Sequence, residues 1–462
     1  MNTLVSSLLS TAGLPQSSID HLRLSGSAPL LASSFKVGEA ARATIAAAAL
    51  AANEVGKIRS LDPSFISVDM HDAERECTGH FQIDGVTPNA WAPLSGLYRC
   101  KDGHVRIHAN FEHHRDGVLR ILGLSHDPRL ISPENITDAL ASWSAEDLEE
   151  IANQHHLVVS AARSFTTWDE TEHAEYLKEQ PLFSITRIGD ARPLNLPAAD
   201  GKPLDQIGVL DLTRILAGPV CGRTLAAYGA DVMLINSPTL PNIDAIADTS
   251  RGKLSAHLDL NRADDNGHLS ELTLGAHVFI QGYRPGGLAS LGYSPVQVAE
   301  IRPGAIYVSL SAYGGSGPWG DRRGFDSLVQ TAMGFNLAEA QAAGSSTPKP
   351  MPVQILDFAS GFLMAFATQA AIVRQQQEGG SWHVEVSLAQ TAHWLRSLGR
   401  LSDNVEPREV DLKPFLQKYG SGFGSLQAIP HAAKFSNFSA DWSRPSNPPG
   451  TDQPEWPDRA FS

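Results

Sequence analysis

An aspartate set among apolar side chains, Asp357 in Gln354-Ile355-Leu356-Asp357-Phe358-Ala359-Ser360-Gly361, stands at the head of a run of small residues that predicts a helix. A carboxylate there can cap the helix N-terminus or act as a nucleophile toward a thioester, and the pattern alone leaves both open. Glycine-bearing loops add candidate anion sites. Thr213-Arg214-Ile215-Leu216-Ala217-Gly218-Pro219 reads as a strand-to-helix turn, where free backbone N–H groups favour anions and Ala217 and Gly218 permit close approach; it also fits a plain tight turn. Gly282-Tyr283-Arg284-Pro285-Gly286-Gly287 holds an arginine that either forks onto phosphate oxygens or is simply solvated. Gly314-Gly315-Ser316-Gly317-Pro318-Trp319-Gly320 runs into Arg322, Arg323 and Asp326, and either folds over an anionic ligand or forms a surface loop. His104, His108, His113 and His114 cluster in the chain. A metal site would also need carboxylates at defined spacing, which the sequence does not supply, so no metal is expected.

The elements that must position these groups are short. Ile207 to Leu212 predicts a strand, Gly218 to Tyr228 a helix and Asp231 to Ile235 a second strand. Val278 to Gln281 and Ala305 to Leu310 predict further strands. The alternation implies an α/β fold with a Rossmann-like parallel sheet, in which ligands bind beyond the carboxyl ends of strands. No Gly-x-Gly-x-x-Gly or Walker A pattern follows the first strand, which disfavours a dinucleotide or nucleoside triphosphate. Upstream, Gly38 to Val55 predicts an Ala-rich helix and Phe65 to Met70 a strand. Gly96 to His108 predicts a hairpin around Lys101-Asp102-Gly103, and Ser144 to Asn153 a helix. Two helix–turn–strand stretches, from Gly38 and from Gly361, echo each other; they are either ordinary units or a duplication.

These elements divide the chain into a partial large-domain segment (1–75), a small α+β domain (76–200), a Rossmann-like domain (207–400) and an extended C-terminal segment (401–462) rich in Pro, Ser and Trp. The 462 residues suffice for more than one core. A net charge of −14 argues against a nucleic-acid partner. Cys77, Cys100 and Cys221 form no Cys-x-x-Cys pair and suit a reducing compartment, most simply as small buried hydrophobes. Met1 to Pro15 has no basic stretch ahead of an apolar core, and the apolar run Ala40 to Ala52 is too short to cross a membrane. A cytoplasmic protein without membrane partners is expected.

The ordered motifs resemble the family III CoA-transferases of the CaiB–BaiF type. They stand as Val209-Leu210-Asp211-Leu212-Thr213-Arg214 with Ala217-Gly218-Pro219, then Gly229-Ala230-Asp231-Val232, Arg251-Gly252-Lys253 with Leu258-Asp259-Leu260, Tyr283-Arg284-Pro285-Gly286, Ser311-Ala312-Tyr313-Gly314, Gly317-Pro318, Gly324-Phe325-Asp326, and Asp357 ahead of Gly361. No single motif is decisive; their order is what is specific. Ser67-Val68-Asp69-Met70, Gly96-Leu97-Tyr98 and Leu122-Gly123 resemble later parts of the same family's chain, so the protein reads as two partial copies in unusual order, a monomeric pseudo-dimer or a homodimer. The resemblance implies that Asp357 attacks an acyl-CoA to give a mixed anhydride, then an aspartyl-CoA thioester, from which CoA passes to a carboxylic acid. CoA is then a co-substrate, with no permanently bound cofactor. Leu216, Ala217, Leu258, Asp259, Leu260, Gly282, Tyr283, Arg284 and Arg323 are the residues the resemblance assigns to the CoA site.

Departures qualify this. Leu216 stands where several transferases carry glutamine, Asn236 where an acidic residue is usual and Ser237 where arginine often follows; in the N-terminal copy Ser34 holds the place of Asp357. An α-methylacyl-CoA racemase is the first alternative, but the family's racemases carry histidine where this chain has Phe325, which cannot move a proton. A remodelled lyase, isomerase or binding protein without CoA is the second, with His108, His113 and His114 as acid–base groups.

Overall fold

The computed structural model describes residues 3–196, 198–401 and 410–457. Parts of the C-terminal segment, 402–409 and 458–462, lie outside the described residues.

Helix Val37–Ile58 is built from alanine and other strong helix formers, and from Val37 to Gly56 only Glu39 is not buried. Helix Ile355–Glu378 is buried without a break from Ile355 to Val373. A helix apolar on all sides belongs in an interior, and these two pack on each other, with Gln369 Nε2 donating to the Ala48 carbonyl at 3.0 Å. By length and composition Ile355–Glu378 would cross a membrane, but its apolar window is wholly buried inside the protein, as in a core helix.

The main sheet has seven strands in the order Lys253–His257, Asp231–Asn236, Gly208–Leu212, Val278–Gln281, Ile306–Ser311, Ser381–Ser387 and Phe183–Gly189. All neighbours are parallel except the last pair. In chain order the parallel strands run 3-2-1-4-5-6, the doubly wound arrangement. The α/β class and the strands expected from the sequence are therefore present. Phe183–Gly189 lies within the stretch 76–200 assigned above to a small domain, yet it joins the main sheet antiparallel to Ser381–Ser387.

Three smaller sheets surround this core. The expected hairpin, Gly96–Arg99 with His104–Ile107, is extended by Val159–Ala161. Strand Ile66–Asp69, following the Ala-rich helix, pairs with Leu22–Ser25 and with Ala433–Phe435 from the C-terminal segment. That segment also supplies Gln417–Tyr419 and Leu426–Ala428, which pair onto Phe81–Ile83.

A buried ion network fastens the three stretches together. Arg223 contacts Glu76 at 3.1 Å and also pairs with Asp248, which holds Arg251 at 2.5 Å. His431 Nδ1 meets Glu76 at 3.0 Å and its Nε2 meets Tyr228 Oη at 2.9 Å, while the Ala432 N–H donates to Glu76 at 2.8 Å. Arg251 stacks over Trp442 at 3.9 Å. Removing one partner strands buried charge, so Glu76→Ala is expected to cost about 3–5 kcal/mol in urea unfolding; a loss below about 1 kcal/mol would mean the network is not what joins the segments.

Candidate active site

Strands Gly208–Leu212 and Val278–Gln281 are neighbours whose onward connections diverge, so the crevice beyond their carboxyl ends is the switch point of the sheet. Two of the loops singled out above leave from it. Gly282 lies against Thr213, whose side chain would be 3.7 Å from a Cβ there. The first loop is held from below. Thr213 Oγ1 donates to Asp211 at 2.5 Å, Asp211 pairs with Lys253 Nζ at 2.8 Å, and Lys253 Nζ donates to the Pro219 carbonyl at 2.8 Å, with both charged side chains fully buried. Above this clamp Ile215 takes φ 77°. A β-branched residue in the left-handed region is a costly conformation that persists where surrounding structure imposes it, commonly at ligand sites.

Leu216 is the N-cap of helix Ala217–Ala227 and makes no side-chain cap bond; Ala217 opens the helix. Leu258, Asp259 and Leu260 follow strand Lys253–His257, with the Leu258 N–H bonded to the Asn236 carbonyl at 3.1 Å and the Asp259 N–H to Asp265 at 2.8 Å. Leu260 and Tyr283 border one apolar cluster, and the Tyr283 N–H donates to Gln281 Oε1 at 2.8 Å. Asn236, at the end of its strand, is buried, and among the described residues neither its side-chain oxygen nor its nitrogen has a partner. Such a group calls for a missing partner.

Cations gather on the same side. Arg323 Nη1 donates to His114 Nε2 at 3.3 Å, and the charge of Arg284 adds to burial in lowering the Arg323 pKa. His113 is lowered by burial first, then by Arg323 and Arg214. Arg214 reaches the Pro241 carbonyl and stands over the Phe111 ring at 5.8 Å. Among the described residues none of Arg214, Arg284 and Arg323 has a carboxylate partner.

Asp357 sits in the first turn of helix Ile355–Glu378, 9% exposed, but it is not the cap. The cap comes from Asp326, 0% exposed, which opens helix Asp326–Ala332 and whose Oδ2 accepts the Asp357 N–H at 3.0 Å. Gln330 holds the other Asp326 oxygen at 2.5 Å. The Asp357 carboxyl is thereby left free of hydrogen bonds among the described residues. Burial, then the charge of Asp326, pushes its pKa well above the usual carboxylate range, and burial lifts Asp326 itself to about 7. One turn on, at Gly361, a Cβ would stand 2.5 Å from the Ala217 carbonyl. Only glycine lets the Asp357 helix meet the start of helix Ala217–Ala227 this closely, which joins the aspartate to the switch-point loop.

The histidines split. His108 stacks on Phe325 with centroids 4.1 Å apart, and His114 lies 4.1 Å from His113. This group borders Asp326 through Phe325, whereas His104 stays on the hairpin. Burial drives His108 to about 4 and His114 to about 3, and the Nδ1 atoms of both are buried without partners among the described residues. Among the described residues no cluster suited to a metal is found.

Sequence reasoning named Asp357 and both switch-point loops, but gave Asp326, Ile215 and the Asn236 amide no role in the site. For Asp326 a faint signal exists: an acidic residue opening a helix just after the glycine loop. For Ile215 there is none, since β-branched residues avoid positive φ.

Residues 204–399 match the model of "CoA-transferase family III". The chain is 28% identical over 338 residues to the acetyl-coenzyme A transferase nodX of Hypoxylon pulicicidum, covering 68% of this chain and 56% of that protein. It is 29% identical over 242 residues to the succinate–glutarate CoA-transferase of Agrobacterium fabrum, covering 45% and 60%. A crystal structure of a CAIB/BAIF family protein from Brucella suis is 25% identical, with a TM-score of 0.39, over 49% of this chain and 65% of that one. The chain thus spans somewhat over half the length of the curated relatives it matches. The switch-point loops, the arginines and Asp357 all fall inside the stretch 204–399 that matches CoA-transferase family III.

Proposed function

We propose that this chain moves CoA from an acyl-CoA to a carboxylic acid, with Asp357 as the group that is acylated. The observation that carries the reading is the free Asp357 carboxyl: its helix is capped by another residue, Asp326, so its oxygens remain available to a substrate. CoA lies across the switch point. Its phosphates meet Arg214, Arg284 and Arg323, whose charges have no carboxylate partner among the described residues, and the unpartnered Asn236 amide supplies polar contact at the strand end. Leu216, Ala217, Leu258 to Leu260, Gly282 and Tyr283 line the rest.

An Asp357 oxygen adds to the thioester carbonyl, the C–S bond breaks, and CoA leaves as the thiolate. The thiolate attacks the Asp357 carbonyl of the mixed anhydride, releases the first acid and forms an aspartyl-CoA thioester. The acceptor carboxylate displaces CoA, and the thiolate then takes the acceptor acyl group, returning Asp357 as a carboxylate. Each step exchanges one acyl bond for another. Desolvation leaves the carboxylate weakly hydrated, so it attacks readily once ionised.

An epimerase is disfavoured by Phe325. Acid–base chemistry through His108 and His114 is disfavoured because their low pKa values make them weak bases at neutral pH. The N-terminal half serves as a second, partial copy without a nucleophile. Its Ser34 is fully buried, with its N–H on Glu339 at 3.0 Å and its Oγ on Arg400 at 2.6 Å. Free, buried Cys77, Cys100 and Cys221 support a cytoplasmic setting.

Incubation with a panel of acyl-CoAs followed by intact-mass measurement is expected to show one adduct per chain, absent from Asp357→Ala. No adduct, together with no CoA binding by calorimetry, would overturn the reading.

Attack requires the ionised aspartate, and burial together with the charge of Asp326 holds the Asp357 proton well above the usual carboxylate range, so the rate of CoA release is expected to rise with pH above that range and to be lost as pH falls through it. Asp326→Asn keeps an acceptor for the Asp357 N–H but removes the like charge, so the rise moves to lower pH. An unmoved profile would show that Asp326 does not tune the nucleophile.

A further inference from the structure

A second set of groups with catalytic geometry lies on the face of the main sheet opposite the central helix. Side chains alternate along a strand: Val308, Val384 and Val386 join the core around helix Ile355–Glu378, so Tyr307, Ser309, His383 and Glu385 point the other way. The register sets Tyr307 beside His383 and Ser309 beside Glu385. Ser309 Oγ is 2.7 Å from His383 Nε2, and His383 Nδ1 is 4.0 Å from Glu385 Oε2, which also accepts Ser184 Oγ at 3.2 Å. A serine bonded to an imidazole whose far nitrogen faces a carboxylate is the arrangement that activates a hydroxyl. The 4.0 Å separation closes to a hydrogen bond by a small rotation of the Glu385 side chain, which is half-exposed.

The three residues line a cavity of about 420 Å³, with Tyr176, Tyr283, Arg284 and Gly314 to Ser316 around it. The glycine loop noted in the sequence is thus part of its wall. Among the described residues the backbone N–H groups of Gly315 and Ser316 have no acceptor, and Gly315 lies so near Glu385 that a Cβ would stand 3.3 Å from Oε1. They are free to donate to an oxyanion.

We propose that Ser309, His383 and Glu385 form a second covalent site that takes acyl esters and thioesters and hydrolyses them. Ser309 Oγ bonds to the acyl carbon as His383 takes its proton; the alcohol or thiol leaves with that proton. Water then adds to the acyl-serine, His383 takes a proton from it, and Ser309 regains its hydroxyl as the free acid departs. Glu385 orients the imidazole. The site does not depend on transfer through Asp357.

The test uses the whole chain and a fluorophosphonate probe, which forms a serine–phosphorus bond with loss of fluoride. Intact mass and peptide mapping are expected to locate a single adduct on Ser309, absent from Ser309→Ala. His383→Gln keeps side-chain volume and a hydrogen-bond donor, and its labelling rate is expected to fall about 100-fold, the scale of a general base, with an unchanged melting temperature. Hydrolysis of p-nitrophenyl acetate should fall in parallel. No adduct, an adduct on another residue, or a rate indifferent to His383→Gln would overturn the proposal and leave Ser309 and His383 as a cross-strand pair that merely satisfies two polar groups.

Discussion

Contact between two small-residue helices holds the rest of this structure in place. Val37–Ile58 and Ile355–Glu378 are both buried nearly all round, and neither has a polar face that water could cover. Alanine and glycine let their axes approach closely, and the polar atom at the seam, Gln369 Nε2, finds a carbonyl on the other helix. Close-packed small side chains gain dispersion energy over many atoms and leave no void for water. Because one helix comes from the N-terminal stretch and the other from the stretch that forms the main sheet, this packing makes the two a single core.

Among the buried charges around that core, two sets draw their partners from distant segments. The Asp211–Lys253 pair sits directly under the switch-point loop and fixes both its strand and its helix start. The Glu76, Arg223, Asp248, Arg251 and His431 network brings residues from the N-terminal, central and C-terminal stretches to one point. Buried ion pairs add little net stability, since desolvation offsets attraction, but a wrong arrangement strands a charge and is costly. Their effect here is to specify which segments meet.

The same logic shapes the candidate active site. Two carboxyl groups are placed so that one bonds the backbone of the other, and both are kept out of water. Asp326 does the structural work of capping, which frees Asp357, and its nearby charge makes Asp357 hold its proton longer. A single contact thus sets the position, availability and ionisation of the candidate nucleophile. Arg214 and the strained Ile215 lie on the loop that the tight seat at Gly361 brings alongside.

Strand and helix positions were legible in the sequence because they rest on local pattern. Ile207 to Leu210 is apolar on both faces, as suits a central parallel strand, the Ala-rich run suits a buried helix, and the Lys101-Asp102-Gly103 turn marks its hairpin. Asp357 and the loops at Thr213 and Gly282 were legible for a related reason: ends of parallel strands are where ligands bind whatever the details. Tertiary structure alone decided the rest. It resolved Asp357 as a free carboxyl and not a cap, because the capping group lies in a different helix. It put Phe183–Gly189 at the edge of the main sheet, wrapped C-terminal strands around N-terminal ones, and turned a run of histidines into an aromatic cluster on Phe325. Residue type and spacing determine what the backbone does over a few turns, whereas hydrogen bonds between distant segments, burial and the ionisation that follows from it exist only once the chain has packed.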